Sequence, residues 1–176
     1  MKFKIGLLIV ILSAIVTFSL FGTAGAANTG TVSPSVTVSS TLSLTLEDTT
    51  NVQWGSQSAG SNPTGTIQAR ISANTNWTLA VQATSGYPST NELTDGSHRI
   101  LSSNFKYTSA AGSPAPSGQG TSSATAFDGS NQTSVWTAGG ATADCRVAVT
   151  YNLQIPASQS PGAYTATHTY TLASSP

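Results

Sequence analysis

Apolar and polar residues alternate along much of this chain with a period of two, which is typical of half-buried β-strands. The final segment shows the pattern best, because threonines occupy every second position between 165 and 171. The residues between and beside them are apolar or aromatic, with one histidine: Tyr164, Ala166, His168, Tyr170 and Leu172. We therefore predict a strand here with one buried face and one face of hydroxyl groups.

Four other segments have the same period. From 32 to 46 every clearly apolar residue has an even number, which predicts either one long bent strand or two strands with a break at 39–41. The segments 67–73, 77–83 and 145–155 also place their apolar residues on one face. The sequence after residue 26 has no helical period of useful length.

Polar connections rich in Gly, Pro and Ser separate these segments. The longest, 109–133, has low complexity and exceeds the roughly 12 to 15 residues usual for a loop without structure of its own. It is either a functional surface loop or a mobile excursion, and it contains a candidate short strand near 125–127. About eight short strands joined by such turns predict an all-β fold, an antiparallel β-sandwich of immunoglobulin-like or jelly-roll type.

The first 26 residues have the layout of a secretory signal peptide. Two lysines precede an uncharged stretch from 5 to 21, and small residues follow it up to Ala24-x-Ala26. We predict cleavage after Ala26, which leaves residues 27–176 as a single secreted domain. The alternative is an uncleaved anchor, because the stretch is about as long as the shortest membrane-spanning helices. Contact with a membrane is then predicted only through this leader.

The composition indicates a surface made polar by hydroxyl groups. Charged residues are only 7% of the chain and the formal net charge is zero, whereas there are 27 Ser and 27 Thr. Hydroxyl side chains at this density suit the outer faces of β-sheets. Lys and Arg form no cluster, so the chain lacks the basic patch that binds a phosphate backbone. We predict no nucleic-acid partner.

Few groups are available for catalysis or metal binding. His98, His168 and Cys145 lack the spacing of a zinc site, and no G-x-S-x-G motif is present. The alternation predicts that His168 is a neutral core histidine and Cys145 an inert buried thiol, whereas His98 lies in a turn-like stretch. The acidic stretch 47–51 has oxygen ligands that suit calcium, but an ordinary turn is favoured. We predict no enzymatic activity, no cofactor and no metal.

The three tryptophans are candidates for stacking on a sugar ring. Trp54 and Trp77 share the parity of their aliphatic neighbours, which predicts a place in the core. Trp136 follows the long loop and is predicted to present its ring at the surface.

Two short motifs carry a family resemblance. Trp77 and Leu79 belong to N-W-T-L-A-V at 76–81, and Tyr170 and Leu172 belong to the final strand. The chain resembles the WxL-type surface domains of Gram-positive bacteria, which have one W-x-L in a central strand and a second in the last strand. Tyr replaces Trp in the second motif here. The ending also resembles other secreted bacterial β-sandwiches, including spore-coat and fimbrial subunits.

The resemblance implies an exported protein, retained non-covalently at the cell wall as a surface or adhesion component. Its partners would be cell-wall glycan or other surface proteins. The two motifs, together with Trp136, are then the binding candidates, although the alternation predicts that the motif residues hold the fold.

The alternative is a structural subunit of a surface fibre, coat or biofilm matrix that self-associates. Val32, Val36 and Val38 form a short alternating segment that either adds as a strand to a neighbouring copy or pairs within its own sheet.

Overall fold

Strands form where branched and aromatic residues alternate with Ser and Thr, as the sequence predicts. The computed structural model describes residues 33–85 and 92–175. These ranges contain eleven strands: β1 (Leu42–Glu47), β2 (Thr64–Ala73), β3 (Trp77–Ser85), β4 (Leu93–Thr94), β5 (Arg99–Ile100), β6 (Phe105–Ala111), β7 (Gln119–Gly120), β8 (Thr125–Ala126), β9 (Thr133–Gly139), β10 (Thr142–Leu153) and β11 (Thr167–Ser174). Two single-turn 3-10 helices, Thr49–Val52 and Ser102–Asn104, precede β2 and β6.

The strands form two main sheets, and the pairings within them are all antiparallel. Sheet A has the order β1-β2-β10-β6-β8, and sheet B has the order β11-β3-β9-β7. Strands β4 and β5 form a separate small hairpin. Buried side chains from both sheets form one hydrophobic cluster. The predicted all-β antiparallel sandwich is therefore confirmed.

The central strands show why the alternation predicts the core. On β2 the residues Ile67, Ala69 and Ile71 are almost completely buried, whereas Arg70 between them is exposed. Side chains also join the sheets through hydrogen bonds, since Tyr107 Oη on β6 donates to the Ser134 carbonyl on β9 at 2.9 Å. Burial of each large aliphatic side chain contributes about 1.5–3 kcal/mol, and these cross-sheet bonds fix how the sheets face each other.

The segment before β1 differs from its prediction. Residues 33–40 form no strand, and Val36 and Val38 are 88% and 77% exposed. The pairing of β1 with β2 begins at Leu42. Next to it, the Asn74 side chain donates to the Ser39 carbonyl and accepts from the Thr41 amide, at 2.8 and 2.7 Å. The Asn74 side chain thus forms hydrogen bonds with backbone groups of Ser39 and Thr41 that could otherwise pair with a neighbouring strand.

The long stretch 109–133 is partly ordered by pairing. Strands β7 and β8 lie inside it, so the short strand predicted near 125–127 is confirmed at Thr125–Ala126. Strand β8 pairs with β6 and β7 pairs with β9, which attaches the stretch to both sheets. Phe127 is 2% exposed and anchors it to the core.

The sandwich belongs to a contact unit that extends from Val38 to Pro176. Residues 33–37 belong to a separate unit, in which they form no strand or helix. The signal peptide 1–26, its cleavage site, the start of the domain at 27 and Val32 lie outside the described residues. Within 33–85 and 92–175, no helix has the length and hydropathy needed to cross a membrane.

Candidate functional site

The two motifs that carry the family resemblance lie side by side. Strands β3 and β11 are neighbours in sheet B, and Leu79 is directly opposite Leu172 in their register. Trp77 pairs with Ser174 and Tyr170 with Val81. The sequence predicts the parity of these residues, and the structure adds that the two motifs form one antiparallel pair.

Trp77 is part of the core. It is completely buried, and its indole nitrogen donates to the Gly140 carbonyl at 2.8 Å. A Cβ on Gly139 would overlap the indole ring, so a glycine is needed there. Leu79 is also completely buried, which leaves Tyr170 and Leu172 on the edge strand as the partly exposed half of the motif pair. Trp77 and Leu79 have no surface with which to touch a sugar.

The prediction that Trp136 is a surface ring is wrong. Trp136 is only 4% exposed, and its indole nitrogen donates to the Ser117 carbonyl at 2.7 Å. Strand β7 covers it, since Gly120 pairs with Trp136 and a Cβ on Gly120 would overlap the ring. The polar loop that suggested exposure therefore folds over this tryptophan.

His168 lies in an aromatic cluster between the sheets. Its ring stacks on Phe127 with centroids 3.8 Å apart, and its Nδ1 lies 3.1 Å from Tyr151 Oη. Tyr151 Oη is in turn 2.8 Å from Tyr170 Oη. Burial lowers the pKa of His168 to about 4 and raises the pKa of Tyr151 to about 12. The predicted neutral core histidine is confirmed, and the cluster is uncharged at neutral pH.

Four charged side chains form a network on the outer face of sheet A. Glu47 lies 3.1 Å from Arg146 and 3.9 Å from Arg70, and Asp144 lies 2.9 Å from Arg70. The hydrogen bond from Arg70 lowers the pKa of Asp144. Two acids and two bases thus neutralise each other, so this cluster presents little net charge to a partner.

The remaining sequence candidates have structural roles. Asp48 adopts the left-handed conformation and the 3-10 helix Thr49–Val52 follows it, so the acidic stretch forms the predicted turn. Cys145 is completely buried, and this burial raises the pKa of its thiol. His98 is half exposed and paired with Asp95 in the hairpin turn. In the described part of the chain no three His, Cys, Asp or Glu side chains converge to hold a metal ion.

An open groove of about 380 Å³ lies at one end of sheet A. Its polar lining comes from three separate segments, 62–64, 103–106 and 152–154: Asn62, Thr64, Ser103, Asn104, Lys106, Asn152 and Gln154. Ala124 provides an apolar part, whereas the side chain of Leu153, which also borders the groove, is buried in the core. We call this feature the amide groove.

Backbone hydrogen bonds hold the walls of the amide groove in place. The Gln154 amide donates to the Asn104 carbonyl at 2.7 Å, and the Leu153 amide donates to the Pro63 carbonyl at 3.1 Å. Lys106 on β6 and Asn152 on β10 are directly opposite each other in the register. Lys106 and Asn152 are thus mounted on paired strands and Asn104 on a short helix, whereas Asn62 and Gln154 lie in the adjoining connections.

Most polar side chains of the groove retain their hydrogen-bonding capacity. Asn152 donates to the Thr150 carbonyl at 3.3 Å. Within the described ranges, the side chains of Asn62, Asn104, Lys106 and Gln154 make no hydrogen bond or ion pair. Each amide offers two donors and an acceptor, and the groove contains no carboxylate. This arrangement suits a ligand with many hydroxyl and amide groups.

The amide groove was not evident from the sequence. The available signal was the outward parity of Asn152 and Gln154, which alternate with the inward Tyr151 and Leu153 on β10. Outward amides are common on strands, and only the fold brings Asn62 and Asn104 beside them.

Comparisons with known proteins do not assign the chain to a family. No protein-family model and no curated protein matches the chain. Among solved structures it is similar to a family 123 glycoside hydrolase from Clostridium perfringens, studied for glycolipid glycan hydrolysis. The identity is 13% and the TM-score is 0.41, over 76% of this chain. The match covers 25% of the hydrolase, so the chain spans about a quarter of its length.

This comparison corrects one prediction from the sequence. The absence of motifs predicts that the protein is not an enzyme, whereas the similar structure is a glycoside hydrolase. The prediction of no enzymatic activity is therefore not retained. At 13% identity and a TM-score of 0.41 the likeness carries no argument about an activity, a substrate or a catalytic residue of this chain.

Proposed function

We propose that the protein is exported and is retained non-covalently at the cell wall through wall glycan. The observation that carries this proposal is the chemistry of its outer faces. Thr167 and Thr169 are exposed on β11, and Thr66 and Thr150 face outward on sheet A with their hydroxyls 2.9 Å apart. Hydroxyl groups on rigid strands exchange hydrogen bonds with a polyhydroxylated polymer at little cost in side-chain entropy.

Charge supports the same proposal. The network around Glu47 and Asp144 neutralises itself, and charged residues are only 7% of the chain. Ionic attraction to an anionic wall polymer is therefore weak, and hydrogen bonds and apolar contacts must supply the affinity.

The test is co-sedimentation of the purified protein with purified peptidoglycan at two salt concentrations. We expect binding to persist from about 0.1 M to about 1 M salt, although the Debye length falls from about 10 Å to about 3 Å. A strongly basic protein of similar size serves as the control that salt releases. Failure to pellet at the lower concentration would contradict the proposal, and release at the higher one would contradict its hydrogen-bonding basis.

A second candidate function is a structural subunit of a surface fibre, coat or biofilm matrix. The edges of the sandwich favour it. Strands β1 and β11 each pair with a single strand among the described residues, and they contact each other across the two sheets. Leu44, Leu46 and Leu172 on these strands are only partly buried. An edge of this kind accepts an added strand through backbone hydrogen bonds and pockets for alternate side chains.

Light scattering over a concentration series tests the second candidate. The exposed alternating valines at 36 and 38 are the donor that we propose. We expect polymers from the full chain and none after deletion of 27–38, which leaves the Ser39 contact with Asn74 intact. Val36→Ser combined with Val38→Ser keeps the length and tests the apolar contribution. A monomer at every concentration would exclude this candidate.

A further inference from the structure

The amide groove has the features of a specific ligand site. Its volume of about 380 Å³ lies within the range of small-molecule sites. The floor is formed by paired strands, and the walls are held by the backbone bond between Gln154 and Asn104. A ligand would therefore meet a backbone that is already in place, whereas the exposed side chains of Asn62 and Gln154 become ordered on binding.

The hydrogen-bond donors and acceptors of the lining side chains indicate which chemical groups a ligand of the groove would carry. Neutral amides pair with groups that both donate and accept, as hydroxyl and acetamido groups do. Lys106 is the one charged group among the described residues of the lining, and its ammonium would donate to a hydroxyl or carboxylate oxygen beside the amides. A polyanion would bind the groove weakly, because the single cationic side chain of Lys106 provides little electrostatic attraction.

The apolar part of the lining fits the same ligand class. Ala124 is exposed and lies beside the amides in the groove. Sugar rings present C–H groups on their faces and polar groups around their rim, so a surface that combines small apolar and amide side chains matches them. No aromatic side chain lines the groove, and recognition must therefore rest on hydrogen bonds.

We propose that the amide groove binds a glycan strand that carries acetamido groups. The inference rests on the proposed retention at the cell wall and names the site that performs it. The amides of Asn62, Asn104 and Gln154 would bond the acetamido and hydroxyl groups, and Lys106 and Asn152 would hold the rim of the sugar.

The first experiment compares variants in peptidoglycan co-sedimentation. Asn62 and Gln154 are exposed, and their side chains have no partner within the described ranges, so Asn62→Ala combined with Gln154→Ala should leave the fold stable. We expect roughly tenfold weaker binding from the loss of two hydrogen-bonding groups. Asn76→Ala removes an exposed amide that does not line the groove, so it is the matched control and should bind like the native protein.

The second experiment uses soluble probes and separates this inference from the proposed function. Chitotetraose and cellotetraose share a backbone of β-linked sugars, but only chitotetraose has acetamido groups. We expect chitotetraose to shift the NMR signals of the Asn62, Asn104 and Gln154 side-chain amides, and cellotetraose to bind at least several-fold more weakly.

The outcomes are distinct. Equal pelleting of the native protein and the groove variant would overturn the inference and leave wall retention in place. If the native protein does not pellet, the proposed function fails, and the probes alone decide the groove. Shifts with chitotetraose that the double variant abolishes would then support it, and no shifts at the groove would overturn it.

Discussion

The burial of Trp77 could be predicted from its position in an alternating strand. Its parity with Leu79 and Val81 places it inside, and the structure confirms complete burial. Parity is reliable here because successive side chains of a strand point to opposite faces. The same argument was not available for Trp136, because the strand that covers it is only two residues long and lies in the polar stretch before it.

Trp77 is expected to stabilise the fold without contributing to binding. Trp77→Phe leaves a cavity and an unpaired Gly140 carbonyl, so we expect a loss of roughly 2 kcal/mol in the free energy of unfolding. Urea denaturation measures the loss. Trp54→Phe is the control and should cost less, because Trp54 is only partly buried and its indole nitrogen has no partner within the described ranges. Weaker peptidoglycan binding by the folded Trp77→Phe protein would contradict this role.

His168 is expected to make stability depend on pH. Its pKa is about 4 in the folded protein against about 6.5 when unfolded, so the unfolded state binds more protons between these values. The contribution of neutral His168 to the free energy of unfolding is therefore complete above about pH 6.5 and is lost as the pH falls towards 4. The free energy of unfolding changes by about 3 kcal/mol in total over this range.

Urea midpoints at several pH values test this dependence. His168→Phe should flatten the slope between pH 4 and 6.5, because the group that takes up the proton is gone. An unchanged slope in His168→Phe would refute the assignment.

Individual strands follow the alternation, whereas their pairing depends on the fold. Strand β11 shows the predicted alternation from Thr167 to Leu172. The segment 33–40 has a similar pattern and forms no strand, because a period of two does not supply a partner ladder. The amide groove could not be predicted for a related reason, since its lining comes from segments separated by as many as 92 positions, from 62 to 154.

Strand β11 is expected to be the edge that accepts an added strand, if the chain polymerises. It is eight residues long and has no charged residue or proline to block an incoming strand. Thr169→Lys places a charge on its exposed face and should reduce polymer formation by light scattering without loss of the fold. Ser72→Lys adds the same charge on an exposed position of the internal strand β2 and should have no effect. Equal polymerisation of Thr169→Lys and the native chain would rule out this edge.

The sandwich is stabilised by its hydrophobic core and by the backbone hydrogen bonds between its strands. The chain has one cysteine, so no disulfide joins distant parts of it. The sheets join strands that are far apart in sequence, as β2 and β10 are. Such non-local pairing slows folding, and no local segment is stable by itself.

Cys145 is expected to react with thiol reagents only when the sandwich opens. Its side chain is completely buried on β10, and its pKa is raised, so the native thiol is both inaccessible and protonated. Labelling by an aromatic disulfide should be slower in the native protein than in urea by roughly a thousandfold or more. A reductant should leave the urea midpoint unchanged. Rapid native labelling would show that β10 opens locally.

The placement of the three indoles has a spectroscopic consequence. Trp77 and Trp136 are buried and donate to carbonyl groups, whereas Trp54 is only partly buried. The native emission should accordingly be blue-shifted and weakly quenched by iodide, with a minor accessible fraction from Trp54. Because Trp77 lies on β3 and Trp136 on β9, the blue-shifted part of the emission of an unlabelled sample reports on the integrity of sheet B.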